Sequence, residues 1–311
     1  KNGTYYSNYL FVGQNTHQVN TTIEKMSQNC DNLLIIADKT NVHDLVKRAM
    51  SVYKDESHIR ILIDGQIKKP SQLPRQLLTT PSGATLRPYQ QQMVDYAINN
   101  KRVGLFVDMG LGKTLATLAT LDRLVTLGEL DKSKPVLIVA PIMVALDTWS
   151  REASKWGYDM NVSINIHLSP KKRTELLDQL NQPQEKLTLV TTNPAQLPAL
   201  VKYYESNHLT PPFEAVIVDE LSQFKSPTAK RLKFLTTLTK HADYFLGLTG
   251  TPAPNNLLDI WSQMIAIDPK NTMYFGNNFY QYRNLYFKPD IVAADGTVYS
   301  WGLKPGADAR I

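Results

Sequence analysis

Between Val103 and Thr120 an apolar run leads into Asp108-Met109-Gly110-Leu111-Gly112-Lys113-Thr114, and then into Leu115, Leu118 and Leu121 at helical spacing. A strand, a glycine loop and a helix start in that order make an anion site. Glycine permits the tight turn, backbone N–H groups point inward, and the positive end of the helix dipole faces bound phosphate. In such a site Lys113 reaches the β- and γ-phosphates of ATP, and the Thr114 hydroxyl ligates Mg²⁺. The full phosphate-loop pattern has another glycine five positions before Gly112, where this chain has Val107. The competing reading is a chance glycine-rich turn.

About 100 residues later, Ala215-Val216-Ile217-Val218 runs into two adjacent carboxylates, Asp219 and Glu220. In open α/β sheets ligands bind at the carboxyl ends of strands. There Asp219 suits the Mg²⁺ shell, and Glu220 suits the orientation and polarisation of an attacking water, as phosphoryl transfer requires. A strand ending in Asp-Glu also occurs as a solvated strand end, so this pair draws its meaning from the glycine loop before it. Two further segments accompany these: Leu246-Gly247-Leu248-Thr249-Gly250-Thr251-Pro252, with two hydroxyls beside a glycine, and Leu86-Arg87-Pro88-Tyr89-Gln90, which opens a helix.

These residues need a scaffold, and the patterning supplies one. From Leu86 onward, short and almost wholly apolar runs alternate with amphipathic helical periods, the signature of a parallel sheet covered on both faces. Strands are predicted at Val103–Val107, Val136–Ala140, Leu187–Val190, Ala215–Val218 and Tyr244–Leu248, with a weaker candidate at Val162–Ile166. Leu146, Trp149, Ala153 and Trp156, and later Leu232, Leu235 and Leu238, form apolar helical stripes. Upstream, Leu33–Ala37, the periodic Val42, Leu45, Val46, Ala49, Met50 and Tyr53, and the alternating Ile59, Ile61 and Ile63 predict strand, helix, strand. Asn41 is a candidate cap and Asp64-Gly65 a turn. Pro70, Pro74, Pro81 and Gly83 mark a linker. The expected organisation is a small α/β unit with its linker over 1–80, an α/β domain over 81–270 and an aromatic-rich segment over 271–311.

Composition narrows the class. The chain has 311 residues and a net charge of +6, mildly basic, which points to a polyanionic partner only if the cations cluster. The one cysteine, Cys30, closes no intrachain disulfide and builds no zinc cluster, which fits an intracellular protein. No apolar run approaches the ~20 residues of a membrane span, and Lys1–Asn8 lacks a signal-peptide core, so no membrane partner is expected. The six histidines show no ligand spacing.

In order along the chain, LRPYQ, DMGLGKT, VLIVAP followed by Trp149 to Trp156, LVTTN, VIVDE and LTGTPAPN resemble the signatures of a superfamily 2 helicase of the SWI/SNF-type branch. The resemblance covers Leu86 to about Asn256. Members of that branch use the shortened Gly-x-Gly-Lys-Thr loop, which accounts for Val107. The resemblance implies a first RecA-like lobe: a P-loop domain with a parallel sheet covered by helices. It implies an ATP hydrolase with Mg²⁺ that couples hydrolysis to movement on, or remodelling of, DNA, most simply double-stranded. It further implies that Gln90 reads the adenine edge and that Gly110, Gly112, Lys113 and Thr114 hold the nucleotide. Thr249, Gly250 and Thr251 would couple nucleotide to nucleic acid, with Ala140, Pro141, Thr191 and Thr192 near the DNA track. Lys225, Lys230, Arg231 and Lys233 suit phosphate contacts or a solvated helix face equally.

Tyr274-Phe275-Gly276, Phe279, Tyr282-Arg283, Tyr286-Phe287, Tyr299-Ser300-Trp301 and Leu303–Ala307 resemble phage-encoded members of the branch, which implies a bacterial host cytoplasm. For these aromatics core packing competes with base stacking. The family closes its ATP site with a second RecA-like lobe bearing an arginine finger, and no such signatures precede Ile311, so that lobe is expected as a partner. Other readings are a catalytically inactive nucleotide- or DNA-binding module and the motor part of a restriction-type complex.

Overall fold

The computed structural model describes residues 9–11, 33–36, 42–63, 66–69, 78–269, 275–276 and 278–307. Cys30, the cap at Asn41, the turn at Asp64-Gly65, the linker prolines Pro70 and Pro74, and Tyr274 lie outside them. The chain divides into two compact units, residues 1–79 with 121–130, and residues 80–120 with 131–311.

In the first unit, β1 (Tyr9–Phe11), β2 (Leu33–Ile36), β3 (Ile59–Ile63) and β4 (Gln66–Lys68) form one sheet in that order. The first three are parallel, and β4 returns antiparallel to β3. The helix α1 (Val42–Tyr53) joins β2 to β3, giving the expected strand, helix, strand. Ile59 and Ile61 share one face, as period-two alternation requires, and both are fully buried. The short strands β1 and β4 carry too few apolar residues to stand out in the sequence.

In the second unit, six parallel strands form one sheet in the order β5-β10-β9-β6-β8-β7. They are β5 (Arg102–Phe106), β6 (Val136–Val139), β7 (Asn161–Ile164), β8 (Thr188–Thr192), β9 (Ala215–Asp219) and β10 (Tyr244–Thr249). Every residue of β6, β8 and β10 is buried, which is why these strands read as apolar runs rather than as alternation. Helices α2 (Pro88–Asn99), α4 (Trp149–Lys155), α5 (Pro170–Leu180), α6 (Leu197–Ser206), α7 (Lys230–Thr239) and α8 (Leu258–Ile267) belong to this unit, as does the first part of α3 (Lys113–Thr126), whose residues from Leu121 on group with the first unit. On one side Leu197, Leu200, Leu235 and Leu238 pack with Leu137, Val190, Val216 and Phe245 in a single core.

Register sets the site. Leu105 lies opposite Leu248, and Leu248 opposite Asp219, so the ends of β5, β10 and β9 stand abreast at one edge of the sheet. The loop before Lys113 and the Asp219-Glu220 pair are thus separated by the single strand β10.

The described part of the tail is not purely helical. After α9 (Phe279–Tyr286) the chain forms an antiparallel hairpin, β11 (Phe287–Val292) and β12 (Val298–Leu303). Trp261, Phe275, Tyr282 and Phe287 make a small core, with Phe279, Tyr286 and Trp301 packed against it. Core packing therefore accounts for these aromatics, whereas Tyr280 and Tyr299 are exposed. No helix among the described residues is long and apolar enough to cross a membrane.

Gly247 lies in the middle of β10, and a Cβ there would stand 2.5 Å from Leu221 Cδ2. Gly247→Ala is expected to lower unfolding free energy by about 1–3 kcal/mol, the ordinary cost of overpacking, measured by urea denaturation. An unchanged midpoint would show that Leu221 moves aside without cost.

Candidate nucleotide-binding site

The loop leaving β5 turns through Gly110 and Gly112, whose φ angles of 77° and 76° suit glycine. Gly112 has a second reason to lack a side chain: a Cβ there would collide with the Gln90 amide. In α3 the Ala116 N–H bonds the Gly112 carbonyl at 3.0 Å, so the Lys113, Thr114 and Leu115 amides lie ahead of the first intrahelical bond. Lys113 Nζ donates to the carbonyls of Val107 at 2.5 Å and Asp108 at 2.9 Å, holding the loop closed from within. Lys113 and Thr114 are both half-buried. Open backbone amides, a helix dipole and a lysine on the same turn fit a polyphosphate.

Gln90 braces this loop from α2. Its Oε1 accepts the Arg87 N–H at 2.9 Å, and its Nε2 donates to the Leu111 carbonyl at 3.3 Å. The side chain is buried, so one residue both caps its own helix and ties that helix to the glycine loop.

Asp219 ends β9, and its carboxyl is held above the ordinary carboxylate range, first by burial and then by the negative charge of Glu220. Lys113, the Trp149 indole N–H and the Glu220 backbone N–H pull in the opposite direction. The Trp149 indole lies near enough to favour the charged carboxylate but not at good hydrogen-bonding geometry. No group of three or more His, Cys, Asp or Glu among the described residues forms a metal cage. One carboxylate and one hydroxyl, Asp219 and Thr114, instead fit Mg²⁺, which keeps waters and takes its other ligands from phosphate.

Glu220 adopts a left-handed backbone, φ 64° and ψ 64°, which costs a non-glycine residue roughly 1–2 kcal/mol. Its Oε1 accepts the Thr249 hydroxyl at 2.6 Å and also the Ser222 hydroxyl. The Thr251 N–H in turn bonds Thr249 Oγ1 at 3.1 Å, and the Val107 N–H bonds the Thr249 carbonyl at 3.1 Å. Gly250 completes this closure: a Cβ there would stand 3.3 Å from the Met109 backbone nitrogen. Buried Gln263 steadies the following loop by donating to the Pro252 and Asp259 carbonyls.

The residues expected along a nucleic-acid track separate into two groups. Pro141 and Arg231 line an open groove of about 580 Å³ with Met143, Asn193 and Gln223. Lys230, Arg231 and Lys233 are exposed on α7, whereas Lys225 pairs with Asp259 at 3.8 Å. Ala140, Thr191 and Thr192 are fully buried, so their side chains lie beneath that surface rather than on it. The Ala140 N–H bonds the Thr192 carbonyl at 2.9 Å, fixing β6 to β8 just where both strands end.

Sequence reasoning missed one contributor, Ser222, and the structural roles of two others, Trp149 and Gln90. Ser222 carried no motif signal, although a hydroxyl two residues beyond a strand-end carboxylate is within local hydrogen-bonding reach. Trp149 read as apolar stripe and as part of the signature after VLIVAP, with no polar role, and the π-helical turn Val144–Thr148 before it has no periodic signature. The bracing role of Gln90 was legible in hindsight from Pro88 at the helix start, with glutamine two positions later.

Comparisons with known proteins bear on the family and the fold. Residues 89–286 match the family model described as the SNF2-related domain. The chain is 33% identical over 210 residues to "Putative protein p41" of Acyrthosiphon pisum secondary endosymbiont phage 1, covering 66% of this chain and 43% of that protein. It is 31% identical over 193 residues to the transcription regulatory protein SNF2 of Saccharomyces cerevisiae, covering 60% of this chain and 11% of that one. The Sulfolobus solfataricus SWI2/SNF2 ATPase core, solved in complex with dsDNA, superposes with a TM-score of 0.53 at 25% identity, over 68% of this chain and 41% of that chain. The chain thus spans less than half of each of these relatives. With a matched segment covering most of the sequence and a RecA-like sheet to carry it, the chain belongs to the SNF2-related domain family.

Proposed function

We propose that this chain is the ATP-binding lobe of a DNA-dependent ATPase that couples Mg²⁺-ATP hydrolysis to movement on, or remodelling of, duplex DNA. The observation that carries the proposal is the convergence at one sheet edge of the glycine loop, Lys113, Asp219 and Glu220, joined through Thr249. Lys113 exchanges its loop carbonyls for phosphate oxygens, and the first amides of α3 receive the remaining negative charge. Thr114 and Asp219 hold Mg²⁺, which when bound neutralises charge developing on the phosphoryl oxygens. Glu220 orients the attacking water and receives its proton. Thr249 and Ser222 fix the direction of that carboxylate. The groove beside Arg231 supplies the DNA-facing surface, and the dsDNA complex of the Sulfolobus relative supports a duplex partner.

Lys113→Ala removes a charge-assisted phosphate contact of roughly 1.5–3 kcal/mol, so affinity for a fluorescent ATP analogue should fall about ten- to a hundredfold. Equal affinity in both proteins would sink the assignment. Gly112→Ala should weaken the same binding, because the loop must shift away from Gln90.

In a polypeptide that includes a second RecA-like lobe, Glu220→Gln should retain nucleotide while phosphate release with DNA falls by orders of magnitude. Turnover at the unmodified rate refutes the water-orienting role. The 311-residue chain alone should bind nucleotide with negligible DNA-stimulated turnover, because an arginine finger commonly contributes about 10³–10⁵ in rate. Robust hydrolysis that Lys113→Ala abolishes would overturn the need for a second lobe. Arg231→Ala should reduce the log–log salt slope of DNA binding by about one unit. An unchanged slope places DNA elsewhere.

A further inference from the structure

Two tryptophans show how this protein treats a partly or fully buried indole. The Trp156 N–H donates to Glu152 Oε2 at 2.7 Å, and the Trp261 N–H to the Phe275 carbonyl at 2.8 Å. Trp149 differs: its side chain is fully buried, and Nε1 has no hydrogen-bond partner. An unpaired buried donor is rare and unfavourable, and calls for an explanation.

Its place in the fold provides one. Val139 of β6 stands opposite Val218 of β9, so Asp219 lies beside Ala140, where the chain turns toward Trp149. Between them the π-helical turn Val144–Thr148 ends on the residue before Trp149. A π turn is wider than an α turn and changes which side chain faces inward, and such turns concentrate at functional sites. The strand register thus brings the Asp219 end of β9 beside the start of the segment that carries this indole.

We propose that Trp149 is a positioning residue for Asp219, its indole N–H completing a hydrogen bond to the carboxylate when Asp219 takes up a divalent cation. The unpaired donor is then a reserved contact, satisfied only in the loaded site. Trp149 touches neither nucleotide nor water in this role and acts through the orientation of Asp219 alone. The inference rests on the nucleotide-binding reading above.

Trp149→Phe deletes the N–H and keeps an aromatic ring. In the 311-residue protein, a fluorescent ATP analogue is titrated at stepped Mg²⁺ concentrations and again in EDTA, with melting temperature as the control for folding. The Mg²⁺ concentration that half-saturates tight binding should rise by about tenfold or more, the usual scale for losing a hydrogen bond behind a metal ligand. Affinity in EDTA should stay unchanged. The same Mg²⁺ dependence in a folded Trp149→Phe protein overturns the proposal, as does equal weakening with and without Mg²⁺.

Should that variant not fold, the four indole N–H resonances of the ¹⁵N-tryptophan-labelled protein provide the readout. One of them should move downfield when Mg²⁺ joins bound nucleotide, and Asp219→Asn should abolish that movement. No responding indole overturns the proposal. A protein that binds nucleotide with Mg²⁺ yet shows no contribution from Trp149 leaves the site reading intact, whereas one that binds no nucleotide removes both.

Discussion

One residue joins the two halves of the candidate site. Thr249 accepts the Val107 N–H on its carbonyl, donates its hydroxyl to Glu220, and accepts the Thr251 N–H on the same hydroxyl oxygen. The glycine loop and the carboxylate pair follow strands that do not touch, so their relative position depends on β10 between them. A threonine is well suited to the place. Its β-branch fits a buried strand, and its hydroxyl both donates and accepts. The glycines flanking it serve the same end. Gly247 leaves room for Leu221 behind the carboxylates, and Gly250 lets the Met109 backbone approach. Displacing this strand end would separate the glycine loop from the Asp219-Glu220 pair.

The groove and the candidate site share one edge of the sheet. Pro141 follows β6, Asn193 follows β8, and Gln223 and Arg231 follow β9. Glu220 and Gln223 are consecutive contacts on a single 3₁₀ turn, the Gln223 N–H bonding the Glu220 carbonyl at 3.0 Å. This is contiguity rather than a demonstration of coupling, which a double-mutant cycle measures. The net charge of +6 is unevenly useful for such a surface. Lys225 is committed to Asp259, while Lys230, Arg231 and Lys233 face solvent.

Much of this architecture could be read from residue order. Strands buried on both faces write themselves as apolar runs, and the loop glycines, Lys113 and the Asp219-Glu220 pair mark strand ends as a set, the pair drawing its meaning from the glycine loop before it. The boundaries moved by one or two residues: β5 begins at Arg102 rather than Val103, and β8 extends to Thr192. What escaped notice was polar geometry without period. Ser222 on Glu220, Gln90 bridging two elements and the unpaired Trp149 N–H depend on three-dimensional direction, which neither spacing nor residue type encodes. The β11–β12 hairpin was hidden because Pro289 and an irregular register break the alternation that announces a hairpin. Thr191 and Thr192 illustrate the converse: the family resemblance implied a place near a DNA track, and the sheet encloses both side chains.

The left-handed backbone at Glu220 has an evolutionary corollary. Glycine accepts that conformation freely, and asparagine accepts it more readily than glutamate does. A lineage or laboratory library screened for heat resistance alone therefore gains backbone relief by discarding this carboxylate, provided that the loss of its two hydroxyl partners costs less. Under such screening robustness and chemistry pull position 220 in opposite directions. Glutamate at position 220 thus combines an unfavourable backbone angle with a carboxylate held by two hydroxyls at the candidate site.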